Sequence, residues 1–164
     1  MKVIFLNIDG PMIPGRMFFT PDASFDECWN MHRYDPIAVD MINTLCIKHG
    51  AVVVMSSTHN GPNAKEKLAF NGIDSFPKDA PVCTDFLQPP HVALGKKNAI
   101  DKWLAEYGKD VEAYVVIDDE GVDDPNLVKV EFDGGISLHN FFDAAAILNG
   151  ETLPRKSQLL IAKG

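Results

Sequence analysis

Cysteine is scarce in this sequence, and long hydrophobic runs are missing altogether. Cys28, Cys46 and Cys83 stand far apart, are odd in number and form no CxxC pair. We therefore expect neither a disulfide framework nor a cysteine-based zinc site, and reduced thiols favour a cytoplasmic protein. The first apolar run, residues 3–6, is too short for a signal peptide, and no run approaches the length of a membrane span. We expect no membrane partner.

Positive charge is also in short supply. Fifteen Lys and Arg stand against 23 Asp and Glu, so the 164-residue chain has a formal net charge of −8. Such an acidic chain has no general attraction to nucleic acid or to an anionic membrane, although a local basic patch would be compatible with the total. The composition, 46% hydrophobic and 23% charged, is that of a globular protein, and the length fits one domain over residues 1–164.

Short apolar runs alternate with helical patterns along the chain. The runs are solid rather than alternating, which is typical of parallel strands covered on both faces. We therefore predict an α/β fold with a doubly wound, mostly parallel, Rossmann-like sheet. The predicted strands are residues 3–6, 51–55, 114–117 and 127–132, with a short one near Val82, and the predicted helices are residues 36–49, 63–71, 96–107 and 138–148.

Residues 11–34 interrupt this alternation and show no lasting period. We interpret them as a lid-like loop insertion after the first strand, since loops of this length in small domains are usually functional or mobile. Two accounts are open. The loop packs its own apolar residues over the core, or it closes over a site. In the second account Arg16 or Arg33 would bind a substrate anion. Trp29 or Tyr34 would then stack on a base.

Polar side chains cluster where the predicted strands end. Asn7 and Asp9 follow the first strand, residues 56–58 follow the second, and Asp118 and Asp119 follow the third. Each group alone is ambiguous, because such residues also form turns and helix caps. In an open parallel sheet, however, the carboxyl ends of the strands form the ligand site. Together with a lysine at 96 or 97, the groups predict one shared pocket.

These motifs, in this order, resemble those of the haloacid dehalogenase-like (HAD) phosphatase superfamily. VIFLNIDG, VVVMSST, the lysine of LGKKNAIDKWL and YVVIDDE correspond to its four motifs. The chain is most similar, over residues 2–148, to small HAD domains of the kind joined to RNA-repair enzymes, which have little or no cap. The resemblance implies a Rossmann-like core and a phosphomonoester hydrolase, and it says little about the substrate.

The resemblance also implies roles for individual residues. Asn7 stands where the family has the aspartate that attacks phosphorus and becomes an aspartyl phosphate. Asp9 would protonate the leaving oxygen and then activate water. Ser56, with the backbone amide after it, would hold phosphate oxygens. Lys96, or Lys97 if the register differs by one residue, would offset the charge of nucleophile and phosphate.

Mg²⁺ is the cofactor that the resemblance implies. Its ligands would come from Asn7, the Asp9 carbonyl and Asp118, with Asp119 in support, and an all-oxygen site suits this ion. The five histidines show no HxH or HxxxH spacing, so we expect no histidine metal site. The substrate-binding candidates are the residues after Ser56 and one arginine of the insertion, namely Ser57, Thr58, His59 and Arg33.

Asn7 departs from the family pattern. A neutral amide is a poor nucleophile and gives a metal ion no formal charge. Two interpretations are open: an engineered nucleophile variant that traps a bound phosphate ester, or a natural, catalytically dead binding module. Asp9 and Lys96 are intact, and a pure binder has less need of them, which favours the first interpretation.

The motif order also argues against a receiver domain of a signalling pathway, the main rival with a similar fold. Receiver domains carry a lone aspartate in mid-chain, where this sequence has Met55 and Ser56. The substrate class stays open. A site with little cap admits bulky substrates, including polynucleotide ends, whereas the acidic charge favours a small phosphorylated substrate such as a nucleotide.

Overall fold

The structure, a computed structural model, describes residues 1–19, 25–26, 31–85 and 92–153. Its strands are β1 (Lys2–Leu6), β2 (Phe25–Asp26), β3 (Met31–His32), β4 (Ala51–Met55), β5 (Ala113–Asp118) and β6 (Leu127–Lys129). Its α-helices are α1 (Pro36–His49), α2 (Ala64–Phe70), α3 (Val92–Tyr107) and α4 (Leu138–Leu148). Two short 3₁₀ helices cover Gly15–Phe19 and Gly108–Asp110. No helix among these residues has the length and hydrophobicity needed to cross a membrane.

Four strands form one parallel sheet in the order β4-β1-β5-β6. The chain moves from β1 to β4 on one side and then crosses over to β5 on the other. The strand order therefore reverses between β1 and β5, which is the point where ligands bind in doubly wound sheets. The predicted α/β class and parallel, doubly wound sheet are confirmed.

Helices cover both faces of this sheet. Because successive side chains of a strand point to opposite faces, β1 contributes to two separate cores. One core joins β1 to α1 and α4 through residues such as Ile4, Leu6, Ile42 and Ile147. The other joins β1 and β5 to α3 through residues such as Val3, Phe5, Val116 and Trp103. Burial of each such side chain stabilises the fold by roughly 1.5–3 kcal/mol, so the two cores fix the relative positions of the strand ends.

The ends of α1 follow the sequence prediction. The Asp35 side chain accepts a hydrogen bond from the Ile37 backbone N–H, and Pro36 begins the helix. Gly50 ends it with a φ of 63°, a conformation in which glycine avoids the steric cost of a Cβ. These caps determine where the chain enters β4.

Three elements differ from their predicted bounds by more than one residue. β6 ends at Lys129, because Glu131 turns back and forms a single bridge with Gly135. α3 begins at Val92, so Lys96 lies inside the helix rather than at its start. The strand expected near Val82 is a single parallel bridge between Cys83 and Met55.

The insertion is partly built into the core. Met12 and Ile13 are buried, and so is Tyr34 at its far end. Within residues 25–26 and 31–32, β2 and β3 form a short antiparallel pair. The described ends of the insertion thus pack as core, and the predicted lid over a site stays a prediction. Trp29 lies outside the described residues.

Candidate active site

Asn7 is the centre of a cluster of polar groups at the switch point. It follows β1 directly, is 4% exposed, and its backbone N–H donates to the Ile117 carbonyl of β5. Its side-chain Nδ2 lies 2.7 Å from the Asp9 backbone carbonyl oxygen. The same nitrogen lies 2.7 Å from Asp119 Oδ1 and 3.3 Å from Asp118 Oδ1. Three oxygen acceptors from two strand ends therefore surround one nitrogen.

Lys96 supplies the buried cation of the cluster. Its Nζ lies 2.8 and 3.0 Å from the two carboxylate oxygens of Asp118, and both side chains are at most 2% exposed. Glu120 Oε2 lies 3.4 Å from the same nitrogen. Burial raises the pKa of Asp118 to about 6, although the adjacent Lys96 ammonium opposes that rise. Lys97 instead pairs with Asp101 one turn along α3 and is a quarter exposed. Lys96 is thus the lysine that the fold brings to the cluster.

Ser56 lies next to Asn7 across two neighbouring strands. Leu6 pairs with Met55, and the Ser56 backbone N–H donates to the Leu6 carbonyl, so the residues after both strands are adjacent. The Ser56 hydroxyl is buried and has no hydrogen-bond partner among the described residues. A buried hydroxyl without a partner is costly, so this one is suited to a polar atom of a ligand.

A family model for the HAD domain in Swiss Army Knife RNA repair proteins matches residues 3–141. The chain belongs to this HAD family. The match covers most of the chain, from β1 into α4, and includes every residue of the cluster. Neither the comparison with curated proteins nor the comparison with solved structures found a match. Family membership supports a HAD-type function of the hydrolase or phosphatase kind.

Ser57 has hydrogen-bond partners within the loop after β4 of this HAD domain. The backbone amide of Ser57 donates to Asn60 Oδ1 at 3.0 Å, and its hydroxyl accepts from the His59 backbone N–H. Asn60 in turn donates to the carbonyl and hydroxyl of Thr84. These contacts favour a structural role for Ser57 over the predicted contact with phosphate. Thr58, in contrast, is exposed.

Asn60 is a residue of the site that sequence reasoning missed. It is 4% exposed and holds the loop after β4 against the chain that follows Cys83. The signal was present as a Ser-x-x-Asn spacing, Ser57 to Asn60, in which the later side chain accepts from the backbone N–H of the earlier residue. The same spacing caps α4 at Ser137 and Asn140.

His59 lies against Asp9 rather than standing free in the site. Its Nε2 is 3.0 Å from Asp9 Oδ1 and 3.1 Å from Oδ2. The imidazole is mostly buried, whereas the Asp9 side chain is 42% exposed. The contact between His59 and a substrate phosphate stays a prediction. The partner of the imidazole in the structure is the Asp9 carboxylate.

The two arginines of the insertion have partners within the protein. The Arg16 guanidinium pairs with the Asp35 carboxylate and donates to the Gly134 carbonyl. The Arg33 guanidinium lies over the Phe70 ring of α2, 5.1 Å from its centroid. Since Arg16 already neutralises Asp35, it is a weaker candidate for a substrate anion than the sequence suggested.

Tyr34 is a core residue of this HAD domain and not a stacking platform. It is 6% exposed, so its ring has no open face for a base. Burial raises the pKa of its phenol well above the ordinary value, and the charge of Asp9 adds to that rise.

Gly10 allows the two acidic segments to approach each other. Its φ is 87°, and a Cβ at this position would lie 2.7 Å from both Cβ and Cγ of Asp119. Only glycine fits such a conformation and such a gap without strain. The Asp-Gly pair that ends the first motif is therefore required for Asp119 to reach Asn7.

The oxygen atoms of the cluster fit a magnesium ion, although the described residues contain no group of three acidic, histidine or cysteine side chains arranged to hold a metal. HAD domains generally use Mg²⁺. The Asp118 and Asp119 carboxylates and the Asp9 carbonyl already converge on the Asn7 side chain, and an all-oxygen donor set is the kind that Mg²⁺ prefers. In the structure these oxygens accept hydrogen bonds from the Asn7 side-chain N–H groups.

Proposed function

We propose that this HAD domain contains a Mg²⁺-dependent active site for phosphomonoester hydrolysis, in which an asparagine occupies the position of the nucleophile. The observation that carries the proposal is the convergence of Asp9, Asp118 and Asp119 on the Asn7 side chain, next to the buried ammonium of Lys96. Acidic groups and a buried cation at the switch point of a doubly wound sheet form a site for an anionic substrate with a metal ion.

The residues that would hold Mg²⁺ are Asp118, Asp119, the Asp9 backbone carbonyl and the side-chain oxygen of residue 7. When bound, the ion supplies positive charge that offsets the charge on the phosphoryl oxygens. Lys96 adds a second positive charge from α3.

Each remaining residue of the cluster would take one part of the reaction. With aspartate at position 7, a carboxylate oxygen attacks phosphorus as the bond to the leaving oxygen breaks, and Asp9 gives that oxygen its proton. Asp9 then takes a proton from the water that hydrolyses the aspartyl phosphate. The Ser56 hydroxyl donates to a phosphoryl oxygen. With Asn7 the first step lacks its anionic oxygen, so the present chain binds the ester and turns it over slowly or not at all.

Two substrate classes follow from different observations. The net charge of −8 favours a small phosphate ester such as a nucleotide. The family model belongs to HAD domains of RNA repair proteins, which favours a terminal phosphate of a polynucleotide as the second candidate. A catalytically dead binding module is the alternative to both, and Asn7 is the observation that favours it.

A phosphate-release screen of the Asn7→Asp protein tests the proposal and separates the substrate classes. Nucleotides, sugar phosphates and oligonucleotides with 3′- or 5′-terminal phosphates would each be offered with Mg²⁺ and with EDTA. We expect release from at least one class, and only with Mg²⁺. The matched control is the double variant Asn7→Asp/Asp9→Asn, which keeps the nucleophile and loses the proton donor. If the Asn7→Asp protein releases no phosphate from any class, the domain is a binding module.

A further inference from the structure

His59 and Asp9 form a side-chain pair at the edge of the site that the reaction steps above leave unused. The Nε2 atom of His59 lies 3.0 and 3.1 Å from the two carboxylate oxygens of Asp9, so a single ring nitrogen contacts the whole carboxylate. The residues come from different strand ends, since Asp9 follows β1 and His59 follows β4. The contact is therefore made by the fold and is not a consequence of neighbouring positions in the chain.

The backbone of His59 is itself held in place. Its N–H donates to the Ser57 hydroxyl at 3.2 Å, and its carbonyl accepts from the Lys67 ammonium of α2 at 3.0 Å. The imidazole is 20% exposed. Because the backbone is held on both sides, only the two side-chain torsions of His59 remain to be ordered when the ring binds a partner. The cost of using this ring as a support is therefore small.

Asp9 is the residue that needs such support. Its carboxylate is 42% exposed, whereas that of Asp118 is 1% exposed. A half-exposed carboxylate samples several rotamers in solvent, whereas proton transfer to a leaving oxygen requires one orientation within hydrogen-bond reach. Misplacement of a reacting group by about 1 Å costs on the order of 10²-fold in rate.

We propose that His59 is a positioning residue for Asp9: its ring N–H holds the Asp9 carboxylate in the orientation for proton exchange with the leaving group. The contact is compatible with proton donation, because a protonated carboxyl group keeps one O–H for the leaving oxygen and acceptor lone pairs for the ring N–H. This inference rests on the proposed function. It assigns His59 a partner within the protein in place of the substrate phosphate.

The dependence on the leaving group tests this role in the Asn7→Asp protein. The phenolate of an aryl phosphate is a weak base and leaves readily without a proton. The alkoxide of an alkyl phosphate is a strong base and needs a proton as it leaves. Loss of orientation at Asp9 should therefore slow the alkyl ester about tenfold or more and the aryl ester much less, within the range that general acid catalysis contributes. We expect His59→Ala to lower kcat/KM for the alkyl ester much more than for the aryl ester, because kcat/KM reports the step in which the leaving group departs and not the later hydrolysis of the aspartyl phosphate. Asp9→Asn should show the same selectivity with a larger loss.

Two further variants control the experiment. His59→Gln keeps a side-chain N–H donor and should recover part of the lost kcat/KM. His139→Ala removes a histidine that also pairs with an aspartate, Asp143, but on the exposed surface of α4, and should leave kinetics unchanged. Equal losses of kcat/KM on aryl and alkyl esters, a loss confined to KM, or no difference between Gln and Ala at position 59 would overturn the proposal.

Imidazole signals in a ¹H–¹⁵N NMR spectrum of the unaltered chain provide a measurement without activity. Asp9→Asn should shift the ring nitrogens of His59 and leave those of His139 in place. Unchanged His59 signals would show that the pair is not formed and would overturn the proposal. An inactive Asn7→Asp protein would defeat the proposed function and the positioning role together, whereas an active one that tolerates His59→Ala defeats the positioning role alone.

Discussion

Replacement of Lys96 by methionine should be among the most destabilising single changes in the chain. Methionine has nearly the length of lysine, so the apolar contacts of the stem are largely kept and the change removes mainly the charge. The Asp118 carboxylate, 1% exposed and 2.8 Å from Nζ, then stays buried without its cation. Removal of one partner of a buried pair costs about 3–5 kcal/mol. That is a large share of the roughly 5–15 kcal/mol by which a domain is stable.

The neighbouring lysine provides the matched control. Lys97 is 25% exposed and its partner Asp101 is more exposed still, at 52%. A surface pair at i,i+4 is worth about 0.3–0.5 kcal/mol. Lys97 Nζ also lies 3.8 Å from the buried Asp124, but that carboxylate keeps hydrogen bonds from the Tyr114 hydroxyl and the Asn126 N–H, so Lys97→Met should cost only about 1 kcal/mol. Urea unfolding of both variants in EDTA measures the difference. With a slope of about 1–3 kcal/mol per molar urea, Lys96→Met should lower the midpoint by more than 1 M. Equal small losses, or a larger loss for Lys97→Met, would refute the assignment of Lys96 to the buried cluster.

Three other predictions concern the acidic cluster and the thiols. Gly10→Ala should lower the free energy of unfolding, measured in urea, by about 2 kcal/mol or more, because the added Cβ would lie 2.7 Å from Asp119 and the backbone is left-handed. Unchanged stability would contradict the close approach of Gly10 to Asp119. Asn7→Asp should bind Mg²⁺ more tightly than the unaltered chain in titration calorimetry, and equal affinities would mean that residue 7 is not a ligand. At pH 8 iodoacetamide should label Cys83 well before Cys46, since burial raises the pKa of the Cys46 thiol to about 11 and the thiolate is the reactive form. Peptide mass spectrometry would measure labelling at the two sites. Equal labelling would contradict the burial of Cys46.

The sequence was most informative where hydrophobicity alone determines structure. β1, β4 and β5 lie within one residue of their predicted bounds, because solid apolar runs between polar turns leave few alternatives. β6 is shorter than predicted, since the residues after Lys129 are apolar in part but turn back in a bridge. The bridge joins residues four apart around Gly134 and Gly135, so a local turn ends that strand.

The cluster itself was also predictable, because topology brings the carboxyl ends of parallel strands together. Asn7, Asp9, Asp118 and Lys96 meet as expected from their places at strand ends and on α3. Their chemical roles stay predictions.

Contacts that depend on loop conformation could not be predicted from the sequence. The bond from Ser57 to Asn60 and the approach of His59 to Asp9 arise from a turn after β4 whose backbone is set by tertiary hydrogen bonds. Tyr34 stands in a loop by sequence, and two accounts of that loop were open; the fold buries Tyr34 beside α1, in agreement with the account in which the loop packs over the core. Burial of a loop residue is a property of the assembled core.

Phosphate release by the Asn7→Asp protein, compared with the unaltered chain under the same conditions, tests the central claim most directly. With Mg²⁺ and the best ester from the screen, the variant should turn over faster than the unaltered chain by several orders of magnitude, because an in-line attack needs an anionic oxygen already placed near phosphorus. Lys96→Ala in the same background should then remove on the order of 10²-fold or more of that rate, and Lys97→Ala should remove little. Equal rates for the Asn7→Asp protein and the unaltered chain would contradict the account.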